Sequence, residues 1–362
     1  MSEPLSETDL PAPETSSPVL PETVEELLAL GHRSLDEQSF HEAQRAFEKV
    51  LTLDPSHAAA RHNLGYALER LGEAAEAEAA YTAALEGPAP LSQSAFNLGV
   101  LLANAGRESE ARRAFEQALA LNPHLPLAHV NVGVLHARAG RLEEARQCYQ
   151  RALELDASCA AAQLKLAHLL LREGKWDEAL HEYDRLLQEG VAAAAVHVGR
   201  GHAMAARDEE EGALQAFQQA VAVDPTSVPA RMQLALLYAQ RQDYEEALRT
   251  LQPVADAVQD DARFFYNLAN MHARLAFREG ELVNDGYADA AVREYRRAIA
   301  IDAHLLKAHY NLACVSAHLN VQDGIAAWEE YVRAASGAAT EQEWVVKARG
   351  YLRRLKEIDT AR

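Results

Sequence analysis

The sequence predicts an all-α repeat solenoid, and three observations predict it. Leucine-glycine pairs at Leu30-Gly31, Leu64-Gly65 and Leu98-Gly99, with Val132-Gly133 in the same register, return every 34 residues. An alanine column at Ala43, Ala77, Ala111, Ala145, Ala179, Ala213 and Ala247 follows at the same interval, each with a large side chain four positions later. Gly72, Gly106, Gly140 and Gly174 recur between the two columns, where a first helix would end in a left-handed cap.

The first column continues as Leu166-Ala167, Arg200-Gly201, Leu234-Ala235 and Leu268-Ala269, and reappears as Leu312-Ala313 after an interruption, which makes nine units. The partners of the alanine column are Phe47, Tyr81, Phe115, Tyr149, Tyr183, Phe217 and Leu251. Spacing of four places each pair on one face of a second helix, and the small residues let two antiparallel helices approach closely around the large ones. Glu42, Glu76, Glu110, Glu144, Glu178 and Glu246 fall in the first turn of that second helix, where a carboxylate offsets the positive end of the macrodipole. Part of the acidity is therefore structural.

Composition narrows function by exclusion. The 362 residues carry a net charge of −19, which opposes nucleic acid and anionic membrane surfaces as partners. Cys148, Cys159 and Cys314 are odd in number and lack a CxxC spacing, so they read as small core residues, neither disulfides nor a zinc site. No apolar run is long enough to span a bilayer, and the N-terminus has no basic and apolar signal pattern, so the expectation is a cytoplasmic protein. No phosphate loop, dinucleotide fingerprint, nucleophile elbow or metal motif occurs. The expectation is a non-enzyme without cofactor or metal. His168 and His202, one repeat apart, are the one suggestive titratable pair, and two imidazoles read better as polar lining than as ligands.

Three segments are expected. Residues 1–22, with Pro4, Pro11, Pro13, Pro18 and Pro21 among Ser, Thr and Glu, read as a disordered acidic leader. Residues 23–335 form the repeat array, and residues 336–362 a capping helix with Trp344, Val345, Ala348, Tyr351, Leu352 and Leu355 at apolar helical spacing. Pro253 should kink or shorten the second helix of the seventh unit. In the eighth unit the alanine due at 281 stands at Ala291, followed by Tyr295 and Ala298, so ten residues are inserted near 279–289. That insertion is expected to extend the first helix before Asn284-Asp285-Gly286 turns the chain.

The pattern of Leu-Gly, then Ala-x3-Phe/Tyr, then Ala84, Ala118, Ala152 and Ala220, with Pro55, Pro123 and Pro225 closing units, resembles the tetratricopeptide repeat family. The resemblance implies a right-handed superhelical solenoid of about nine helix-turn-helix repeats whose first helices line a concave groove. It gives as groove positions Tyr66, Phe96, Asn97, Val100, Val130, Asn131, Val134, Leu164, His168, Val198, His202, Met232, Leu236 and Asn267. The strip is apolar for such a groove, which favours a partner peptide or amphipathic helix as ligand. The family's carboxylate clamp is incomplete: Asn267 and Lys307 match, but Met232, Leu236 and Asn311 stand where Lys, Asn and Arg are required. The expected function is a protein-protein interaction scaffold or adaptor of bacterial type. The alternative is a non-catalytic remnant or subunit of a repeat-containing enzyme, or of a peptide-sensing regulator.

Overall fold

The computed structural model describes residues 23–87, 89–336 and 342–361, and the proline-rich leader at 1–22 lies outside them. Among the described residues it contains 19 α-helices and one small hairpin. The chain divides into two compact units, with the boundary between Leu169 and Leu170.

The N-terminal unit runs through α1 (Val24–Asp36), α2 (Phe40–Leu53), α3 (Ala58–Leu71), α4 (Ala74–Glu86) and α5 (Ser92–Asn104). It continues with α6 (Glu108–Leu121), α7 (Pro126–Arg138), α8 (Leu142–Leu155) and most of α9 (Ala160–Arg172). The C-terminal unit contains α10 (Trp176–Gln188), α11 (Ala194–Ala206), α12 (Glu210–Val223), α13 (Val228–Gln240), α14 (Tyr244–Ala255) and α15 (Ala262–Ala276). A hairpin of β1 (Phe277–Arg278) and β2 (Glu281–Leu282) follows, then α16 (Asp285–Ile301), α17 (Leu306–Leu319), α18 (Val321–Ala335) and α19 (Gln342–Thr360). In chain order these are nine helix pairs and one further helix, the number the columns predict.

The columns explain the packing within a pair. A Cβ on Gly31, Gly99, Gly133 or Gly201 would stand 2.6 Å from the ring of Phe47, Phe115, Tyr149 or Phe217, sixteen residues later. At these four positions glycine leaves the room that the ring occupies against the first helix. Where the column holds alanine the partner varies: Ala235 is matched by Leu251, both fully buried, whereas Ala167 is matched by Tyr183, whose ring lies against Gly199 of the next repeat. The glycines between the helices adopt the expected left-handed conformation, with φ of 83° at Gly72, 75° at Gly106, 77° at Gly140 and 76° at Gly174. Gln38, Asp208 and Gln242 occupy the same column and are held there too, at φ of 58°, 61° and 64°.

Two expectations about the C-terminal unit are sharpened or corrected. Pro253 lies in the last turn of α14, which ends at Ala255 and, at 12 residues, is the shortest described helix. The insertion does not extend α15. That helix stops at Ala276, and Phe277 pairs with Leu282, and Arg278 with Glu281, as an antiparallel hairpin. Its two-residue turn has positive φ at both positions, 53° at Glu279 and 88° at Gly280, the conformation a tight hairpin needs to match strand twist. Asn284 is not a turn residue but the N-cap of α16, its side chain accepting from the Tyr287 N–H at 3.1 Å. α19 packs on the same core as α15–α18 through Val345 and Ala348.

Candidate binding recess in the C-terminal unit

The first-helix positions singled out from the sequence fall into two groups by unit. In the N-terminal unit, Tyr66, Phe96, Asn97, Val100, Asn131, Val134, Leu164 and His168 are half-buried. Val130 is 4% exposed and packs with Ala145 and Tyr149, so it is a core residue and lines no surface, a correction to its assignment. Asn97 donates to the Tyr81 hydroxyl at 3.3 Å, which itself donates to Glu69 at 2.9 Å, so this asparagine is engaged in holding the repeat together. Phe96 tilts against Phe115 at 5.8 Å.

In the C-terminal unit, Val198 packs on the Phe217 cluster, and His202 meets the Phe217 ring edge-on at 5.4 Å. Burial lowers the pKa of His202, which favours the neutral ring at neutral pH. Met232, Leu236 and Asn267 belong to a larger construction. Asn267 Nδ2 approaches the Met232 sulfur at 3.6 Å, and Leu236 and Asn267 line a recess of about 770 Å³.

Three first helices and the hairpin build that recess. α13 contributes Leu236 and Ala239; α15 contributes Tyr266, Asn267, Asn270, Met271, Ala273 and Arg274; α17 contributes Asn311, Cys314, Val315 and His318. Tyr244 and Tyr295 add to its wall, and Phe277, Glu279 and Gly280 bring the hairpin over one end. The Phe277 ring is fixed edge-on to His318 at 4.9 Å, which ties the insertion to α17. At this volume the recess is in the range that holds a drug-sized ligand or a few residues of peptide.

The polar groups converge on Asn270. Its Oδ1 accepts from the Tyr295 hydroxyl at 2.6 Å and from Asn311 Nδ2 at 2.9 Å. That oxygen is saturated, so what Asn270 retains for a ligand is its pair of N–H groups. Cys314 is a poor nucleophile here: burial pushes its thiol up to about 11, beside the Tyr310 hydroxyl. Among the described residues no cluster of three or more His, Cys, Asp or Glu is arranged to hold a metal ion. The arrangement is equipped to bind, through amides and aromatic rings.

Sequence reasoning located Leu236, Asn267 and Asn311 and the insertion that begins near Glu279, but not Tyr266, Asn270 or Arg274. Asn270 stands one helical turn after Asn267 and 34 residues after Leu236, ahead of the insertion, so continuing the groove column by one repeat finds it.

Family models described as tetratricopeptide repeat match residues 28–92, 96–159, 164–228 and 204–271, well over half of the chain. The chain belongs to the tetratricopeptide repeat family. The fold of this family is a scaffold for protein-protein interaction. A tetratricopeptide repeat protein from Parabacteroides merdae superposes with a TM-score of 0.58 at 19% identity, over 68% of this chain and 98% of that one. PilF of Pseudomonas aeruginosa does so at 0.52 and 22%, over 61% and 96%. No curated protein sequence matches the chain. Among the described residues of this tetratricopeptide repeat protein, no helix is long and apolar enough to cross a membrane. The family matches end at Leu268-Ala269-Asn270-Met271, just short of the hairpin that closes the recess.

Proposed function

We propose that this protein is an adaptor that receives an extended segment of a partner protein in the recess of its C-terminal unit. The observation that carries the reading is the meeting of Asn267, Asn270 and Asn311 with a family-atypical hairpin around one cavity of about 770 Å³. Carboxamides supply N–H and C=O groups that match a peptide backbone, while Tyr266, Phe277 and Leu236 supply apolar wall for its side chains. The absence of catalytic motifs from the sequence supports an adaptor over an enzyme. The half-buried strip from Tyr66 to His168 in the N-terminal unit offers a second, more apolar surface for the same or another partner.

A photocrosslinking residue at Phe277 tests the reading, with one at exposed Leu53 as control. The Phe277 position should capture a discrete partner in cells, and Asn270→Leu with Asn311→Leu should abolish that capture. Equal capture at Leu53, or capture unaffected by the asparagine substitutions, would overturn it.

A further inference from the structure

We propose that the inserted segment is an acid-sensitive clasp on the recess, closed while His272 is neutral and loosened when His272 takes a proton. This concerns the regulation of the recess named under the proposed function, and rests on that reading for its consequence.

The segment from Phe277 to Asp289 carries two aromatic side chains, and each ends on a histidine of a flanking first helix. Phe277 meets His318 of α17 edge-on at 4.9 Å, and Tyr287 meets His272 of α15 at 5.9 Å with the rings tilted by 39°. Between these two grips lie the hairpin, whose Phe277, Glu279 and Gly280 border the recess, and Asn284, which caps α16 through the Tyr287 N–H. α16 starts a turn earlier relative to Ala291 than α6 and α8 start relative to Ala111 and Ala145. Tyr287 therefore stands on the turn that the insertion adds.

The two histidines differ in what a proton does to them. His318 is exposed, and its Nδ1 donates to the Cys314 carbonyl at 2.8 Å, so its Nε2 can take a proton without breaking that bond. His272 is half-buried, and its Nδ1 is closed off from water with no hydrogen-bond partner. The groups of α16 that act on it are the Tyr287 ring and the Arg293 guanidinium, and no carboxylate does so. In the same column Leu68, Leu102 and Leu170 are buried, so the place is built for an uncharged side chain. Burial, and after it Arg293, holds the His272 pKa below the ordinary 6.5.

With the clasp closed, His272 resists protonation; with the first turn of α16 lifted away, it takes a proton at the ordinary 6.5. Opening therefore binds a proton, and the closed form is whole above that pH and weakens as pH falls below it. Only Val283 and Asn284 join the hairpin to α16, so loosening Tyr287 also loosens the wall that the hairpin gives the recess.

Hydrogen exchange of the full chain alone, at about pH 7.5 and about pH 5.5, tests the clasp, with protection factors corrected for the intrinsic pH dependence of exchange. Protection at residues 277–290 should fall several-fold at the lower pH, with a ceiling of about tenfold for one proton over one pH unit. His272→Leu, the residue of the equivalent repeats, should remove the fall, and His272→Gln, uncharged at both pH values, should remove it too. His318→Gln should leave it in place. No fall in the parent chain, an equal fall across residues 170–361, or a fall kept by both His272 variants would overturn the inference. A fall removed by His318→Gln would overturn the assignment to His272. Because exchange is read on the chain alone, these outcomes stand apart from capture at Phe277, which decides whether the recess holds a partner.

Discussion

The Tyr295 hydroxyl donates to Asn270 Oδ1 at 2.6 Å, joining the second helix of the eighth repeat to the first across the floor of the recess. Asn311 brings α17 to the same oxygen. Tyr295 is 1% exposed, so the bond is made out of water and its geometry is held by packing. Tyr295→Phe should cost about 1 kcal/mol in urea unfolding, and Asn270→Leu about 1–3 kcal/mol because it strands a buried hydroxyl. The double variant should lose less than the sum, the signature of direct coupling.

The close approach of glycine and ring sets the spacing of each repeat. Gly99→Ala should destabilise by about 1–3 kcal/mol, since its Cβ would overlap Phe115, despite the better helix propensity of alanine. Adding Phe115→Leu should recover part of that loss, because Ala235 with Leu251 is the same combination already accommodated in the seventh repeat. Chemical denaturation of the single and double variants checks both signs.

Asp208 holds a left-handed backbone at φ of 61°, in a column that elsewhere contains glycine. An L-residue there costs about 1–2 kcal/mol, and glycine returns roughly half of that as unfolded-chain entropy. Asp208→Gly should therefore stabilise by about 0.5–1 kcal/mol, and Gln242→Gly, at φ of 64°, likewise. Melting temperature is the readout.

Tyr81, Tyr183 and Tyr295 have hydroxyl pKa values raised well above the usual 10.0, chiefly by burial. The unfolded chain sheds these protons near pH 10 while the fold retains them, so stability is whole below that pH and falls as pH rises past it. Thermal melts from pH 9 to 12 should show this decline. Tyr295→Phe should flatten it.

The repeat columns made most of the fold legible, because each rests on a steric requirement repeated many times: glycine under a ring, alanine between helices, glycine at a left-handed cap. Gln38, Asp208 and Gln242 show that the backbone keeps the column even where the residue does not. The recess was legible only in part. Leu236, Asn267 and Asn311 lay in the groove register, but Glu279-Gly280 gave a single glycine as its cue, and strands of two residues are too short to show alternation. Asn284-Asp285-Gly286 resembled a turn because the residues that favour turns also cap helices. Val130 was misread because a position facing the groove in one repeat is roofed by its neighbours in another.

Hydrogen exchange of the full chain, alone and with the partner captured at Phe277, tests the central claim most directly. Binding in the recess predicts added protection at residues 266–282 and 310–318, covering the amide network, the hairpin and the facing turn of α17. Protection confined to the second helices α14, α16 and α18, or to residues 23–169, would contradict it.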